Sequence, residues 1–228
     1  MGETPELTNA IVSATSLGLL HSMYLAFPYP LRRIVTVLGL MAALLLKPWI
    51  NRNRPIPTTR DRLYTLSFWG VPSLDESRFQ LRVHGKVARD ASFSLPDLEA
   101  LADTNREVVL DCVGGTRNVV RMKGVSMRQI LEAVEPGPRA KTAVFQCADG
   151  YREAALLPDL LEHEAFLAFA VNDEGIPEMG YPLRLAFPGK YGYKWAKWVT
   201  DIELVEDSRK GIWESIGLPD RANVGDIF

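Results

Sequence analysis

The chain has 228 residues, of which 47% are hydrophobic and 24% charged, with a formal net charge of −2 and a pI near 6.0. This balance gives no basic footprint for nucleic-acid binding, and its two cysteines are too few for a disulfide scaffold. The apolar content is too high for a disordered chain. One packed domain of ordinary size is therefore expected, with room for an appendage.

The first fifty residues form a hydrophobic arm in which charged residues are rare. Residues 31–50 are predicted to span a membrane, and residues 7–27 are a second, weaker candidate. Residues 1–50 would then anchor the protein through one or two helices. A helical hairpin buried in the core is the alternative interpretation.

Two features of this arm predict opposite orientations. Arg32-Arg33 before an apolar run resembles a twin-arginine export signal, which would place the following domain outside the cytoplasm. The basic residues after the second apolar segment would instead keep that domain inside. The side of the membrane stays open at this point.

Residues 51–59 contain two prolines and no apolar period, so they are predicted to be a linker before a domain that spans 60–228. Capping boxes at Ser94 and Ser126 each predict the start of a short helix. Strands predominate without regular βαβ alternation, so the fold class is predicted to be α+β, a single mixed and mainly antiparallel domain. The predicted strands lie at about 79–85, 108–110, 142–146, 166–171, 183–187 and 198–205.

Cys112 is the strongest candidate for chemistry. It follows an apolar strand and enters a loop that contains two glycines and Arg117, so a thiolate there would suit a soft metal or act as a nucleophile. The alternative is a free core cysteine, and the spacing alone does not decide between them. Cys147 lies within an apolar strand and is predicted to be a core residue.

A second cluster combines four basic residues with glycines and aromatic residues. Arginine and lysine suit a phosphate-bearing ligand, because one gives bidentate contacts and the other a point charge. A solvated charged face is the alternative, but the accompanying aromatic residues favour a ligand wall. The basic residues are Arg184, Lys190, Lys194 and Lys197.

These segments occur in the order found in a known family. They include VVLDCVGGTRNV at 108–119, KGVSMRQIL at 123–131, CADGY at 147–151, the long run at 180–204 and KGIWE at 210–214. Together they resemble the sulfite oxidase-like molybdopterin-binding oxidoreductases. The resemblance is strongest to the bacterial branch that includes the catalytic subunits of periplasmic methionine sulfoxide reductases.

The resemblance implies a molybdenum–molybdopterin cofactor whose metal is ligated by Cys112. It implies a catalytic role for Arg117, at the metal pocket, and for Asp149 and Tyr151, in a loop near the metal. The residues that it implies for binding the cofactor are Cys112, Gly114, Arg117, Arg184, Lys190, Tyr193, Lys194 and Lys197.

The implied activity is a two-electron oxygen-atom transfer on a small substrate. Reduction of an S-oxide or N-oxide is favoured over sulfite oxidation, because the run Cys112–Arg117 lacks one arginine of the family's sulfite-binding pair. The chain has no CxxCH haem motif, so electrons are expected from a membrane haem or quinol partner. The expected location is the bacterial inner membrane, with the domain on the periplasmic side.

Two alternatives to this enzyme remain open. One is a non-enzymatic, membrane-tethered binding module that keeps the fold without the metal. The other is a thiol-redox role for Cys112 with Cys147.

Overall fold

Two β-sheets form the body of the domain in the computed structural model, which describes residues 28–52, 55–67, 70–207, 209–215 and 217–225. The strands of these described residues are β1 (Gln80–Gly85), β2 (Ala91–Ser94), β3 (Thr104–Asp111), β4 (Arg117–Ser126), β5 (Thr142–Cys147), β6 (Arg152–Leu156), β7 (Phe166–Val171), β8 (Arg184–Ala186) and β9 (Val199–Val205). The helices are α1 (Tyr29–Ile50), α2 (Leu95–Ala100), α3 (Met127–Val134), α4 (Leu157–Glu162) and α5 (Ile212–Ser215).

The two sheets have different connectivities. The first has the order β2-β1-β9-β5-β6, and the second has the order β3-β4-β7-β8. Every pairing between these strands is antiparallel except that of β1 with β9. The predicted mixed, mainly antiparallel α+β class is confirmed.

The two predicted helix starts form as their sequences indicate. The Ser94 side chain accepts from the backbone N–H of Asp97, and the Asp97 carboxylate accepts from the N–H of Ser94, which completes the capping box of α2. Ser126 accepts from the N–H of Gln129 at the start of α3. Each cap satisfies a donor that the first helical turn leaves without a partner.

The core is apolar and draws on both sheets and on α3. Burial of each large side chain contributes about 1.5–3 kcal/mol relative to its exposure. The fully buried residues include Leu81, Met122, Ile130, Phe145, Phe166 and Ile202. This core fixes the ends of the strands and so positions the loops that follow them.

The expected membrane span at 31–50 is not confirmed. This stretch forms most of α1, but among the described residues no helix is both long enough and apolar enough to cross a bilayer. The second candidate span, 7–27, lies outside the described residues.

The predicted linker at 51–59 contacts the domain where it is described. Thr58 is buried, and its N–H donates to the carbonyl of Val119 at 2.7 Å. The N–H of Val119 donates in return to the Thr58 hydroxyl at 2.9 Å. This part of the segment therefore packs along β4 instead of forming a free spacer.

Candidate active site

A cavity of about 150 Å³, here called the Cys112 cavity, lies where the loop after β3 meets the segment between β8 and β9. Six of the residues predicted for the site line it. They are Cys112, Asp149, Tyr151, Arg184, Tyr193 and Lys197. Chain segments far apart in sequence therefore place these predicted residues around one space.

Cys112 lies in a tight turn directly after β3, and backbone hydrogen bonds hold this turn. The N–H of Cys112 donates to the carbonyl of Thr116 at 2.8 Å, and the Cys112 carbonyl accepts from Gly115 at 2.9 Å. The N–H of Gly114 points at Sγ, 3.4 Å away, as expected for a group that stabilises a thiolate. Burial raises the pKa of the thiol, the Gly114 N–H opposes this, and the Asp111 carboxylate adds to it. A bound metal ion would reverse that balance, because coordination deprotonates a thiol.

Arg117 does not line the Cys112 cavity. Its guanidinium donates from Nε and Nη2 to the two carboxylate oxygens of Asp111, both at 2.9 Å. Lys47 of α1 contacts the same carboxylate at 2.7 Å. The Asp111 side chain is almost completely buried and therefore needs cationic partners, and Arg117 is one of them.

Arg184 and Lys197 are brought side by side by the backbone. They form an antiparallel bridge between β8 and the segment that leads into β9. Gly180 permits this arrangement, because a Cβ at that position would lie 2.9 Å from Arg184 Cβ and 3.0 Å from Lys197 Cβ. Two cationic side chains consequently share one wall of the Cys112 cavity.

These two cations have no carboxylate partner within salt-bridge distance in the described part of the chain. Arg184 donates to the carbonyls of Met179 and Trp195, but its buried Nε has no hydrogen-bond partner. Burial lowers the pKa of Arg184 to about 10. Burial, together with the charge of Arg184, lowers the pKa of Lys197 to about 7. Both shifts arise mainly from burial, and a bound anion would oppose them by favouring the charged forms.

The segment at 64–67 supplies part of the cavity that the sequence analysis missed. Lys197 Nζ donates to the hydroxyls of Thr65, at 2.9 Å, and Ser67, at 2.7 Å. The Asn118 side chain holds the same segment by accepting from the N–H of Tyr64 and donating to its carbonyl. Contacts made by backbone groups and hydroxyls are hard to predict from sequence. The one available indication was the polar Asn118 in the TRN run at 116–118, whose side chain binds this segment.

Asp149 and Tyr151 come together through a turn after β5. The N–H of Tyr151 donates to the Asp149 carboxylate at 3.0 Å, while burial raises the pKa of that carboxyl. The Tyr151 hydroxyl lies 2.6 Å from the carbonyl of Tyr193. Tyr193 in turn donates its own hydroxyl to the carbonyl of Pro219 at 2.7 Å. Both tyrosines line the cavity, and the hydroxyl of each is hydrogen-bonded to a backbone carbonyl.

Lys190 and Lys194 do not line the Cys112 cavity. Lys190 pairs with Asp159 at 3.2 Å and donates to Asn223 at 2.7 Å. Lys194 pairs with Glu153 at 2.7 Å and also with Glu214. Both lysines line a separate cavity of about 220 Å³, here called the second cavity. The four basic residues of the predicted ligand wall are therefore divided between two cavities. Arg184 and Lys197 line the Cys112 cavity, and Lys190 and Lys194 line the second cavity.

Cys147 is buried, as predicted, and burial raises the pKa of its thiol strongly. Both cysteines are free thiols. Cys147 is absent from the described lining of the Cys112 cavity. The geometry gives no support to a redox pair of the two cysteines.

Comparison with known proteins assigns the family. The model of the oxidoreductase molybdopterin binding domain matches residues 68–213, which is well over half of the chain. The chain belongs to this family. It is a molybdopterin-binding oxidoreductase, as the motifs indicated.

Relatives of this oxidoreductase include several bacterial proteins. It is 30% identical over 145 residues to the uncharacterized oxidoreductase YuiH of Bacillus subtilis, covering 63% of this chain and 73% of the relative. It is 28% identical over 161 residues to the protein-methionine-sulfoxide reductase catalytic subunit MsrP of Xanthomonas campestris, covering 63% of this chain. That match spans only 50% of the length of MsrP.

A solved structure shows the same fold. The sulfane dehydrogenase SoxCD of Paracoccus pantotrophus matches with a TM-score of 0.62 and 21% identity. The match covers 68% of this chain and 44% of the SoxCD chain. The sulfite-oxidase-type fold implied by the sequence motifs is thereby confirmed.

The residues of the Cys112 cavity fit the cofactor that the family binds. In the described part of the chain no group of three or more His, Cys, Asp or Glu residues could hold a metal ion. A metal held mainly by the dithiolene of a pterin needs few protein ligands, and a thiol lies on this cavity. Arg184 Nε has no hydrogen-bond partner, and Lys197 has no carboxylate within salt-bridge distance among the described residues, so both suit the anionic groups of such a cofactor.

Proposed function

We propose that this oxidoreductase removes an oxygen atom from a small S-oxide or N-oxide, using a molybdenum–molybdopterin cofactor whose metal is ligated by Cys112. One observation carries the proposal. The Cys112 side chain lies on the same cavity as the buried Arg184 and the part-buried Lys197, two cations without a carboxylate partner within salt-bridge distance among the described residues. A soft ligand and an anion site in one cavity are the two features that this cofactor requires.

The residues that would hold the cofactor are fewer than the sequence suggested. Arg184 and Lys197 would bind its anionic groups, with the hydroxyls of Thr65 and Ser67 beside Lys197. Cys112 would contribute its thiolate, and the bound cofactor would supply the two-electron chemistry. Arg117, Lys190 and Lys194 would act through their ion pairs outside this wall. Gly114 would contribute its N–H to the sulfur.

The lining of the cavity favours a neutral substrate over sulfite. Leu110, Val113 and Trp213 give it an apolar part, and Asp149 adds a carboxyl group. Arg117, the residue expected to face a substrate oxyanion, is engaged by Asp111. A sulfite dianion would find little compensation there beyond the cations assigned to the cofactor, whereas an uncharged sulfoxide requires none.

The protein is further proposed to act at the bacterial inner membrane, with its domain on the periplasmic side and a membrane haem or quinol protein as electron donor. The support is the outer face of α1, where apolar side chains are exposed to solvent. They include Ile34, Leu38, Leu45 and Trp49. An apolar row of this kind suits contact with lipid or with a membrane protein.

The Cys112→Ser variant tests the proposed function. When both proteins are made in a host that synthesises the cofactor, we expect wild type to contain molybdenum and pterin and to reduce sulfoxides with a reduced dye. The variant should lose the metal and at least 10³-fold in rate, since a serine hydroxyl is a poor ligand for a soft metal. Metal analysis and the dye assay measure both effects.

Cys147→Ser is the matched control, because it removes the other thiol without touching the Cys112 cavity. Its metal content should stay at the wild-type value. Folded wild type that contains neither molybdenum nor pterin would contradict the proposal and favour the binding module.

A further inference from the structure

The second cavity is separate from the Cys112 cavity, and the proposed function assigns no ligand to it. No residue of the described part of the chain lines both cavities. Five basic and three acidic side chains line the second cavity. The basic residues are Lys190, Lys194, Arg209, Lys210 and Arg221, and the acidic residues are Asp159, Glu214 and Asp220. This excess of basic residues makes the cavity a candidate site for an anionic ligand.

Ion pairs engage three of the five basic residues of the second cavity. The pairs are Lys190 with Asp159, at 3.2 Å, Lys210 with Asp220, at 3.3 Å, and Lys194 with both Glu214 and Glu153. Arg209 and Arg221 have no carboxylate within salt-bridge distance in the ranges that the structure describes.

The second cavity therefore keeps a net positive charge, even when Glu153 is counted as ionised. Glu153 is not part of the described lining but shares Lys194 with Glu214. Burial and the charge of Glu214 raise the pKa of Glu153 to about 8 against the opposing effect of Lys194. Protonation of Glu153 would make the surroundings of the cavity more positive.

Two buried polar atoms of this lining lack hydrogen-bond partners. Thr142 is 1% exposed, and its Oγ1 has no partner. Glu214 is also 1% exposed, and it contacts Lys194 through Oε1, whereas its Oε2 has no hydrogen-bond partner. A buried polar atom without a partner is costly, so both atoms indicate a ligand that bonds to them.

The side chains of the second cavity favour an oxyanion that still carries a hydrogen. Arg209 and Arg221 are exposed, and each guanidinium can donate to two oxygens of such an anion. Glu214 Oε2 can only accept while the carboxylate is ionised, so its partner must have a hydrogen to donate. Inorganic phosphate keeps at least one hydrogen at neutral pH. Sulfate has none there, and a phosphate monoester has lost its last hydrogen above about pH 6.

We propose that the second cavity binds inorganic phosphate in a protonated form. Arg209 and Arg221 would donate to its oxygens, and the hydroxyl of Thr142 would add a further hydrogen bond. The phosphate O–H would donate to Glu214 Oε2, while Lys194 stays paired with Oε1. The site does not depend on the cofactor, because its lining is distinct from that of the Cys112 cavity.

Isothermal titration calorimetry of the full chain tests the choice of anion. At pH 8 and constant ionic strength, inorganic phosphate, sulfate and methyl phosphate are all mainly dianions, and only inorganic phosphate has a hydrogen to donate. We expect it to bind at least tenfold more tightly than either of the others. Absence of phosphate binding, or sulfate bound as tightly as phosphate, would overturn the proposal.

Variants of the lining test the location of the anion. Arg209→Gln and Arg221→Gln should each weaken phosphate binding about tenfold. Arg128→Gln is the matched control, because it removes an exposed arginine of α3 outside the cavity and should bind as wild type. Thr142→Val should fold normally, since its hydroxyl has no partner to lose, but should also bind about tenfold more weakly. A Thr142→Val protein with the wild-type affinity would contradict the site.

Two further variants give results that a merely structural role would not produce. Glu214→Gln should reduce the preference for phosphate over sulfate, because an amide can donate to an oxygen that carries no hydrogen. Lys197→Met changes the cation wall of the Cys112 cavity and should keep the wild-type affinity for phosphate. Binding that is lost in Lys197→Met and kept in Arg221→Gln would place the anion in the Cys112 cavity and overturn the proposal, whatever the outcome for the proposed function.

Discussion

Asp111 determines what the residues on both sides of the Cys112 turn can do. Burial raises the pKa of its carboxyl group, but hydrogen bonds from Arg117 and Lys47 outweigh this and lower the pKa overall. The carboxylate therefore stays ionised and keeps both cations. It also occupies the Arg117 guanidinium, so the positive charge on the lining of the Cys112 cavity comes from Arg184 and Lys197.

Lys197 should make the stability of the cofactor-free protein depend on pH. Its pKa is about 7 in the folded state and about 10.4 in an unfolded chain. Between these values the unfolded chain binds a proton that the folded chain does not, so stability should rise with pH from about 7 to about 10. The slope cannot exceed about 1.4 kcal/mol per pH unit. Lys197→Met should remove this rise, which urea unfolding at a series of pH values would measure.

The exposed Lys141 offers the matched control for that experiment. Lys141→Met removes the same charge from the surface and should leave the wild-type slope intact. A Lys197→Met protein with the wild-type slope would show that another group is responsible. It would also remove the main electrostatic argument for an anion at this wall.

At the scale of elements, the end of α1 is part of the active-site architecture. Asn51, which caps α1, donates from Nδ2 to the carbonyl of Gly115 at 2.7 Å and accepts from the N–H of Arg117 at 2.9 Å. Together with the contact of Lys47 with Asp111, these bonds join α1 to the turn that carries Cys112. The last turn of α1 holds the turn that carries Cys112. The described end of the hydrophobic arm is therefore part of the site.

Asn51→Ala should loosen the Cys112 turn. Each lost hydrogen bond costs about 0.5–1.5 kcal/mol, so we expect a loss of about 1–3 kcal/mol in unfolding free energy. The turn at 112–117 should also become more sensitive to protease, and the holoenzyme should lose molybdenum faster on dialysis. Arg52→Ala, at the neighbouring exposed position, is the control and should behave as wild type. Equal protease sensitivity of the two variants would contradict the role of Asn51.

The elements that the sequence predicted are those whose signals are local. The caps at Ser94 and Ser126 and the alternating pattern of β1 depend on neighbouring residues, and they are confirmed. β4 was missed, because buried residues occupy consecutive positions in it and the period of two is lost. β2 and β6 were also missed, since such short strands are defined by their partners and not by their own patterns.

At the scale of the whole molecule, the site depends on pairings that no local pattern encodes. The residue type showed that Lys194 is a cation, but its partner Glu153 lies 41 residues earlier in the chain. Arg184 and Lys197 differ from Lys190 and Lys194 only in lacking such partners among the described residues. The sequence could therefore predict Cys112 and the basic segment, but it could not tell which bases would be free to bind an anion.

The exposed apolar face of α1 predicts that the whole molecule binds to a lipid surface through this helix. Leu45 and Trp49 are 81% and 74% exposed, and they lie one turn apart on this helix. If the face contacts lipid, Leu45→Glu with Trp49→Glu should weaken binding of the full chain to anionic vesicles more than tenfold, since each buried apolar side chain contributes about 1.5–3 kcal/mol. Ile56, 76% exposed but outside α1, gives the control Ile56→Glu, which should bind as wild type. Vesicle co-sedimentation measures all three proteins, and equal binding by the double variant would exclude α1 as the contact.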